Sequence, residues 1–302
     1  MKALRVETNL DKLKICYTQP AGLFQNLRDT FLQSGDTLAF VEYNLHLDRT
    51  VLNSDQEVIG MEVSVHYELD GINHRLGFYE FSISGKYRNY CFFTFDNSAF
   101  YTLYQIYYGE KQSVVGFIEY ISEQIGLEFN NITLAEICLD TNRNLIASLR
   151  KFIKDYEGYE MFLNGNLVHD EDRKLDNYGE YYSRSRRKLN RQPTIYLCQK
   201  KRGGLSLRLY NKTSELKEAS PEKEYISSWL DFGKQTIYRA ELTIHNTDLQ
   251  DFCDMIGYDK YALIQLLITP EWRNKLWAYS VKRILYFRSR IDGTEIELAD
   301  ML

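Results

Sequence analysis

Alternating apolar and polar residues fill much of the first hundred positions of the chain. Segments rich in Val, Ile, Tyr and Phe with this period of two lie at residues 13–17, 38–47, 60–67, 76–84 and 89–95. A period of two predicts strands that are buried on one face. Asp70-Gly71 and Ser84-Gly85 separate successive segments and favour tight turns between them. The first part of the chain is therefore predicted to form antiparallel sheet.

Helical spacing of apolar residues interrupts this sheet and becomes dominant later. Helices are predicted at residues 22–33, 111–125 and 145–156, after the Ser-Pro-Glu triplet at 220–222, and over most of the chain from 249 onward with one break at Thr269-Pro270. Further strands are predicted at residues 132–140, 194–198, 205–210 and 236–244. The polar segment 159–180 is predicted to be a loop.

The order of these elements predicts an α+β fold. Its central sheet is expected to be mostly antiparallel, with inserted helices and a helical C-terminal region. No Pro/Gly-rich linker divides the chain. We place a boundary near residue 105, which separates an N-terminal β-rich region, 1–105, from a second region, 106–302, that carries the candidate chemistry.

Composition places the chain among folded proteins of a reducing compartment. Hydrophobic residues make up 44% and charged residues 26% of its 302 positions, as in ordinary globular proteins. The five cysteines are scattered without a CxxC pair, which disfavours a disulfide framework or a zinc site. No apolar run approaches the roughly 20 residues that cross a bilayer. We therefore expect a cytoplasmic protein without a membrane partner.

Charge is distributed unevenly along a chain whose net charge is −5. Residues 181–214 contain ten basic side chains and no acidic one. Such a run forms either a solvated surface or a surface that binds phosphates. A second mixture of aromatic and basic residues, 272–290, fits either a core helix with a charged rim or a helix that contacts DNA. The cations predicted to contact DNA are Arg184, Arg186, Arg187, Lys188, Lys200, Lys201 and Arg202, together with Arg239 from a later strand.

Carboxylates lie within two strands whose other residues suit burial. The period of two places Glu136 and Asp140 on one face of their strand, and Arg239 and Glu241 on one face of theirs. A buried carboxylate is costly unless it is paired or bound to a metal. Glu241 could therefore pair with Arg239 or Arg208. Alternatively, Glu136, Asp140 and Glu241 could bind Mg²⁺ or Mn²⁺, which prefer carboxylate oxygen. Residues four apart in a straight strand are about 13 Å apart, so Glu136 and Asp140 share one ion only if the strand bends.

Several common catalytic motifs are missing from the sequence. It has no HxH, HExxH, GxSxG, Walker A or GxGxxG pattern, which removes support for zincins, His-dependent nucleases, serine hydrolases and nucleotide-binding folds. Tyr196 stands out because cations surround it in sequence. A phenol, whose pKa is near 10, becomes a useful nucleophile beside positive charge or a polarised phosphate. The alternative is that Tyr196 packs in the fold like most of the 24 tyrosines.

The residues from Thr194 to Glu215 form the string TIYLCQKKRGGLSLRLYNKTSE. Its T-x-Y start, basic turn and R-x-Y-N-K-x-x-E end resemble the replication initiation factor family (Rep-trans type) of rolling-circle plasmids and phages. The acidic strand with Glu136 and Asp140 and the strand with Arg239 and Glu241 are also similar, so the resemblance spans about residues 130–250. The turn at residues 197–202 departs from the usual family pattern, as does Glu136, where Asp is commoner.

The resemblance implies a DNA nickase and strand transferase that acts at a replication origin. Tyr196 would attack a phosphodiester and become linked to the 5′-phosphate, while Arg208 and Lys212 would stabilise negative charge. Glu136, Asp140 and Glu241 would hold a divalent metal, Mg²⁺ or Mn²⁺. The implied partners are origin DNA with a single-stranded or cruciform nick site, a host helicase and a second copy of the chain.

Two other functions stay open from the sequence. One is a non-catalytic DNA-binding regulator on the same fold, in which Tyr196 only packs. The other is a structural or assembly protein whose basic strands bind a protein partner. The first keeps DNA binding without cleavage, and the second lacks the steep salt dependence that phosphate contacts produce.

Overall fold

The computed structural model describes residues 4, 6–41, 43–69, 71–103, 113–173, 180–181, 194–197, 204–218, 223, 225–230 and 232–301. Its strands are β1 (Val6–Thr18), β2 (Thr37–Ala39), β3 (Asn44–Leu52), β4 (Val58–Leu69), β5 (Ile72–Ser82), β6 (Tyr90–Phe95), β7 (Glu128–Thr141), β8 (Tyr159–Leu163), β9 (Asn166–Val168), β10 (Glu180–Tyr181), β11 (Thr194–Leu197), β12 (Ser206–Asn211), β13 (Tyr238–His245), β14 (Leu285–Ser289) and β15 (Glu295–Ile296). Its helices are α1 (Leu23–Ser34), α2 (Val114–Gln124), α3 (Leu145–Lys154), α4 (Lys212–Glu218), α5 (Tyr225–Leu230), α6 (Asn246–Ile256), α7 (Lys260–Leu266) and α8 (Pro270–Ile284).

These elements confirm the predicted α+β fold with a large antiparallel sheet. The chain forms two compact units. Unit 1 contains Met1–Leu10, Glu136–Tyr258 and Thr269–Leu302, and unit 2 contains Asp11–Ala135 and Asp259–Ile268. The long strands β1 and β7 each contribute residues to both units. The boundary near residue 105 stays a prediction. None of the helices that the structure describes has the length and apolarity needed to span a bilayer.

Unit 1 is built around the strand order β10-β11-β12-β13-β7-β1. One set of alternating residues on β11, β12 and β13 is fully buried, including Ile195, Leu207, Leu209, Ala240 and Leu242. Helices α3 and α8 contact β12 and β13, and α6 contacts β13. Because side chains alternate between the two faces of a strand, the residues between these apolar ones lie on the other face.

Unit 2 contains the strand order β7-β1-β6-β5-β4-β3-β2. Leu13, Ile15, Val63, Tyr79 and Phe93 form part of its buried face. Gly71 of the predicted Asp70-Gly71 turn lies between β4 and β5 with a φ of 75°, while Asp70 lies outside the described residues. Glycine reaches such a backbone conformation without steric cost, so the turn closes the hairpin without strain.

The segment predicted as a loop at residues 159–180 instead contains the hairpin β8-β9. Asn164 and Gly165 connect its strands with φ values of 50° and 73°. Two positive φ angles are typical of the Asn-Gly hairpin turn. β8 also pairs with β14, giving a second sheet in unit 1 with the order β15-β14-β8-β9. The helical C-terminal region is confirmed as α6 to α8, and the two short strands β14 and β15 follow it.

Candidate active site

The candidate active site lies on three neighbouring antiparallel strands of unit 1. Tyr196 of β11 stands opposite Arg208 of β12, and Arg208 stands opposite Glu241 of β13. Three residues far apart in the chain therefore form one row across the sheet. We call Tyr196, Arg208 and Glu241 the candidate row.

Strand alternation explains why these polar side chains share a face. Ile195 and Leu197, on either side of Tyr196, are buried, whereas Tyr196 itself is half-buried. Leu207 and Leu209 are likewise buried around Arg208, whose side chain is 40% exposed. The apolar neighbours hold each strand against the core, and this fixes Tyr196 and Arg208 on the opposite, partly open face.

Glu241 is the buried end of the candidate row. It is 6% exposed, and both of its carboxylate oxygens have donors. The Arg208 guanidinium donates to Oε1, and the Tyr210 hydroxyl donates to Oε2 at 3.0 Å. Such partners offset the cost of burying a carboxylate. The sequence allowed Glu241 to pair with Arg239 or with Arg208, and the structure forms the pair with Arg208.

Arg208 is held as a cation next to Tyr196. Burial is the largest single influence and lowers the pKa of its guanidinium, but the charge and hydrogen bond of Glu241, together with Tyr210 and Tyr196, raise the pKa by more. The net result is a pKa above the ordinary arginine value. The guanidinium also lies 4.7 Å from the centroid of the Tyr210 ring. Arg208 therefore presents a permanent, oriented positive charge at the open face.

The R-x-Y-N-K-x-x-E string forms a continuous set of contacts at the junction of β12 and α4. Lys212 is 3% exposed, and its Nζ lies 5.7 Å from the Tyr210 ring centroid and 2.6 Å from Glu215 Oε2. Asn211 Oδ1 accepts a hydrogen bond from the Ser214 backbone at 2.9 Å, which caps the first turn of the helix. The spacing of the string is thus that of a strand passing directly into a capped helix.

Asp140 and Arg239 form a separate ion pair deep in unit 1. Both side chains are 0% exposed. Arg239 donates from Nε to Asp140 Oδ1 and from Nη2 to Oδ2, each at 2.8 Å. To contact DNA as predicted, Arg239 would need to reach solvent, and its side chain does not. Asp140 likewise gives both oxygens to Arg239, so this pair is fully buried within unit 1.

The three carboxylates predicted to bind a metal do not converge as free donors. Glu241 and Asp140 each face an arginine, and Glu136 accepts from Thr243 Oγ1 at 3.5 Å. Among the described residues, no group of three or more His, Cys, Asp or Glu side chains is arranged to hold a metal ion. In this arrangement the carboxylates do not fit a resident cation, and Mg²⁺ or Mn²⁺ binding stays a prediction.

Most of the predicted DNA-binding cations lie outside the described residues. These are Arg184, Arg186, Arg187, Lys188, Lys200, Lys201 and Arg202. The basic run is therefore described only where it reaches Arg208 and Lys212. In the second basic and aromatic segment, Trp277 is buried and exposed Lys275 pairs with Glu271. Those contacts match a core helix with a charged rim.

The sequence named Tyr196, Arg208 and Glu241 as candidates but did not place them in one row, and two contacts around them were missed. It named Tyr210 within the string without finding its hydrogen bond to Glu241, and it found no partner for Asp140. Both contacts depend on how the strands are aligned, which the sequence does not show. Tyr210, for example, stands opposite Arg239, yet its hydroxyl donates to Glu241. The signal available was the residue type, since a buried carboxylate needs a donor.

No family model and no curated protein matches the chain. A solved structure described as the rolling circle replication initiator protein from Geobacillus stearothermophilus is similar with 13% sequence identity and a TM-score of 0.45. The similarity covers 96% of this chain and 89% of that one. A likeness this low supports no inference about activity.

Proposed function

We propose that the chain initiates rolling-circle replication by nicking one DNA strand and transferring it through Tyr196. The observation that carries this proposal is the candidate row, in which Tyr196 stands opposite Arg208 and Arg208 is fixed by Glu241. The sequence resemblance assigned Tyr196 and Arg208 of this row to catalysis and Glu241 to metal binding. Its chemistry suits transfer of a phosphodiester.

The proposed cleavage is an in-line displacement at phosphorus. The Tyr196 oxygen forms a bond to phosphorus as its phenol proton leaves, and the bond from phosphorus to the 3′-oxygen breaks. The 3′-oxygen takes up a proton, and the 5′-phosphate stays linked to Tyr196. Attack by a 3′-hydroxyl on that linkage reverses the step and joins strands. No net hydrolysis occurs, so the energy of the broken bond is retained.

Arg208 has the direct electrostatic role in this scheme. Negative charge grows on the non-bridging phosphate oxygens during the displacement, and a preorganised cation stabilises it. Arg208 suits this role because its charge is permanent and its side chain reaches the partly open face that Tyr196 occupies. A guanidinium can also offer two parallel donors to a phosphate.

Glu241, Tyr210 and Lys212 act as positioning residues in this proposal. Glu241 fixes the guanidinium from the buried side, and Tyr210 supports it by its ring and by its hydroxyl. Lys212 contacts the same ring and pairs with Glu215, so its charge acts on DNA from behind Tyr210 rather than by direct contact. The buried pair of Asp140 and Arg239 stabilises the strands on which the row is built.

Partners and cofactor belong to the proposal through the sequence resemblance. The partners are origin DNA with a single-stranded or cruciform nick site, a host helicase and a second copy of the chain, and the cofactor is a divalent cation. The proposed location is the cytoplasm. For Glu241 to bind that cation, Arg208 has to leave it, and a DNA phosphate is the partner that Arg208 could take instead. No chemical step above depends on the cation.

The test is to incubate the purified full chain with supercoiled DNA of the replicon that encodes it. We expect nicked circles and a covalent adduct in which mass spectrometry maps the 5′-phosphate to Tyr196. An adduct on another tyrosine would contradict the assignment of the nucleophile. Salt-dependent DNA binding without any adduct would support the regulator instead, and the absence of such binding would support the assembly protein.

A further inference from the structure

A cleft in unit 2 combines aromatic rings, carboxylates and cations. Its volume is about 430 Å³, and Lys14, Glu80, Tyr87 and Phe92 are among its lining residues. That volume is in the range of pockets that bind small organic ligands. None of these residues has a function predicted from the sequence, and every residue that lines the cleft belongs to unit 2.

Strand register explains how this cleft comes to have a polar wall. Arg49, Glu62, Glu80 and Phe92 follow one another across β3, β4, β5 and β6. Their neighbours along the strands, including Met61, Phe81 and Cys91, are buried. These four residues therefore lie on the face opposite the core of unit 2, where their side chains remain partly exposed.

Two aromatic rings provide surfaces on which a planar ligand can stack. Tyr87 is 48% exposed, and its ring meets Phe92 edge to face with 5.6 Å between centroids. Lys86 Nζ lies 4.7 Å from the Tyr87 centroid, and Lys14 Nζ lies 5.1 Å from the Phe92 centroid. Exposed rings next to cations are the elements with which proteins bind unpaired bases of nucleic acids.

The carboxylates of the cleft add hydrogen-bond acceptors to the stacking surface. Glu80 pairs with Lys14 through Oε2, and Glu62 pairs with Arg49 through Oε2 at 3.0 Å. Carboxylates accept hydrogen bonds from the N–H groups of base edges, while Lys and Arg bind phosphate. A ligand with a flat ring, N–H donors and a phosphate would use all three kinds of group.

We propose that this cleft binds an unpaired nucleobase whose edge carries N–H donors, guanine above all. Guanine offers two neighbouring donors, N1–H and the N2 amino group, which match one carboxylate. The base could belong to a free nucleotide or to a DNA single strand, because both present the same ring, edge and phosphate. The proposal is independent of nicking at Tyr196, since it concerns other residues and a binding measurement.

The first experiment is a calorimetric titration of the full chain with GMP and, separately, with TMP. We expect saturable binding of GMP that is at least about tenfold tighter than that of TMP, because thymine lacks the paired donors. Heat of dilution alone with millimolar GMP would overturn the proposal. Equal affinities for GMP and TMP would also overturn it, since the carboxylates would then play no part.

Matched variants locate the binding site. Tyr87→Ala removes the exposed ring and should weaken GMP binding about tenfold or more, whereas Tyr87→Phe keeps the ring and should change it little. Tyr120→Ala, which removes another exposed tyrosine of unit 2, is the control. Glu80→Gln should reduce the preference for GMP, and Glu123→Gln should not. Equal effects of each variant and its control would contradict the site.

A second set of titrations shows whether the base belongs to a free nucleotide or to a DNA single strand. Oligothymidylate with one central dG and plain oligothymidylate are each titrated into the wild type and into Tyr87→Ala. If the base belongs to a single strand, the dG-containing strand binds the wild type more tightly than GMP does, and Tyr87→Ala removes that difference. If the two strands bind alike while GMP still binds at Tyr87, the occupant is a free nucleotide.

Discussion

Arg208 and Glu241 stand opposite each other on β12 and β13, and their side chains form an ion pair that joins an open surface to a buried one. The arginine side chain is 40% exposed, whereas that of Glu241 is 7% exposed. Glu241 also accepts the Tyr210 hydroxyl, so the carboxylate is anchored from two sides. The consequence is a cation whose position is set from the core while its charge faces Tyr196.

The strongest prediction concerns the proposed nucleophile. Tyr196→Phe removes only the hydroxyl, so no cavity opens, and DNA binding and the free energy of unfolding should change little. Strand cleavage and the covalent adduct should disappear, because no oxygen remains to attack phosphorus. Gel analysis of nicking and of the adduct measures this. Tyr210→Phe is the matched control and should slow cleavage without removing the adduct, and the reverse pattern would identify Tyr210 as the nucleophile.

A second prediction concerns the geometry of Arg208. Arg208→Lys keeps the charge but loses the planar fork and the stacking on Tyr210, so single-turnover cleavage should slow by about 10²-fold. Arg283→Lys is the matched control because Arg283 is similarly exposed and pairs with Asp251 in the same unit. Equal cleavage rates for Arg208→Lys and the wild type would show that Arg208 does not act on the phosphate.

The buried pair of Asp140 and Arg239 leads to a prediction about stability. Arg239→Ala leaves a fully buried carboxylate without its guanidinium and should lower the free energy of unfolding by about 3–5 kcal/mol. Urea denaturation measures this. Lys275→Ala breaks the exposed pair with Glu271 and should cost less than about 1 kcal/mol. A similar small loss for Arg239→Ala would contradict the structural role of the pair.

Glu119 of α2 should make stability depend on pH. Burial raises the pKa of this carboxyl above its ordinary value of 4.5, and the hydrogen bond from the Tyr17 hydroxyl offsets the rise only in part. Above pH 4.5 the unfolded chain therefore loses this proton first, so the folded state binds more protons and stability falls as pH rises. Glu119→Gln should flatten that fall at pH values above 4.5. An unchanged slope would mean that Glu119 titrates normally.

Chelation tests the predicted divalent cation. If the cation takes part, EDTA should abolish nicking, and Mg²⁺ or Mn²⁺ should restore it. Because the Glu241 carboxylate is paired with Arg208 in the structure, we expect Mn²⁺ to bind the DNA-free chain weakly in a calorimetric titration. Nicking that continues unchanged in EDTA would remove the cation from the proposal while leaving the role of Tyr196 intact.

The sequence predicted the elements better than the contacts between them. Alternation located the strands because burial on one face imposes a period of two within a short segment. It left Glu241 with two candidate arginines, since strand register is set by contacts between distant parts of the chain. The structure pairs Glu241 with Arg208 and directs Arg239 to Asp140. The hairpin β8-β9 was missed because its segment is polar, although Asn164-Gly165 is a strong local signal for a turn.

The direct passage from β12 into α4 limits how the chain can vary in length. The strand ends at Asn211 and the helix begins at Lys212, with no connecting residue between them. The Lys212 backbone N–H also donates a hydrogen bond to the Ile237 carbonyl oxygen at 2.9 Å, which holds the junction against the neighbouring segment. An inserted residue between Arg208 and Lys212 would turn the following side chains to the opposite face. Homologous chains should therefore keep this spacing free of insertions and deletions, even where individual residues differ.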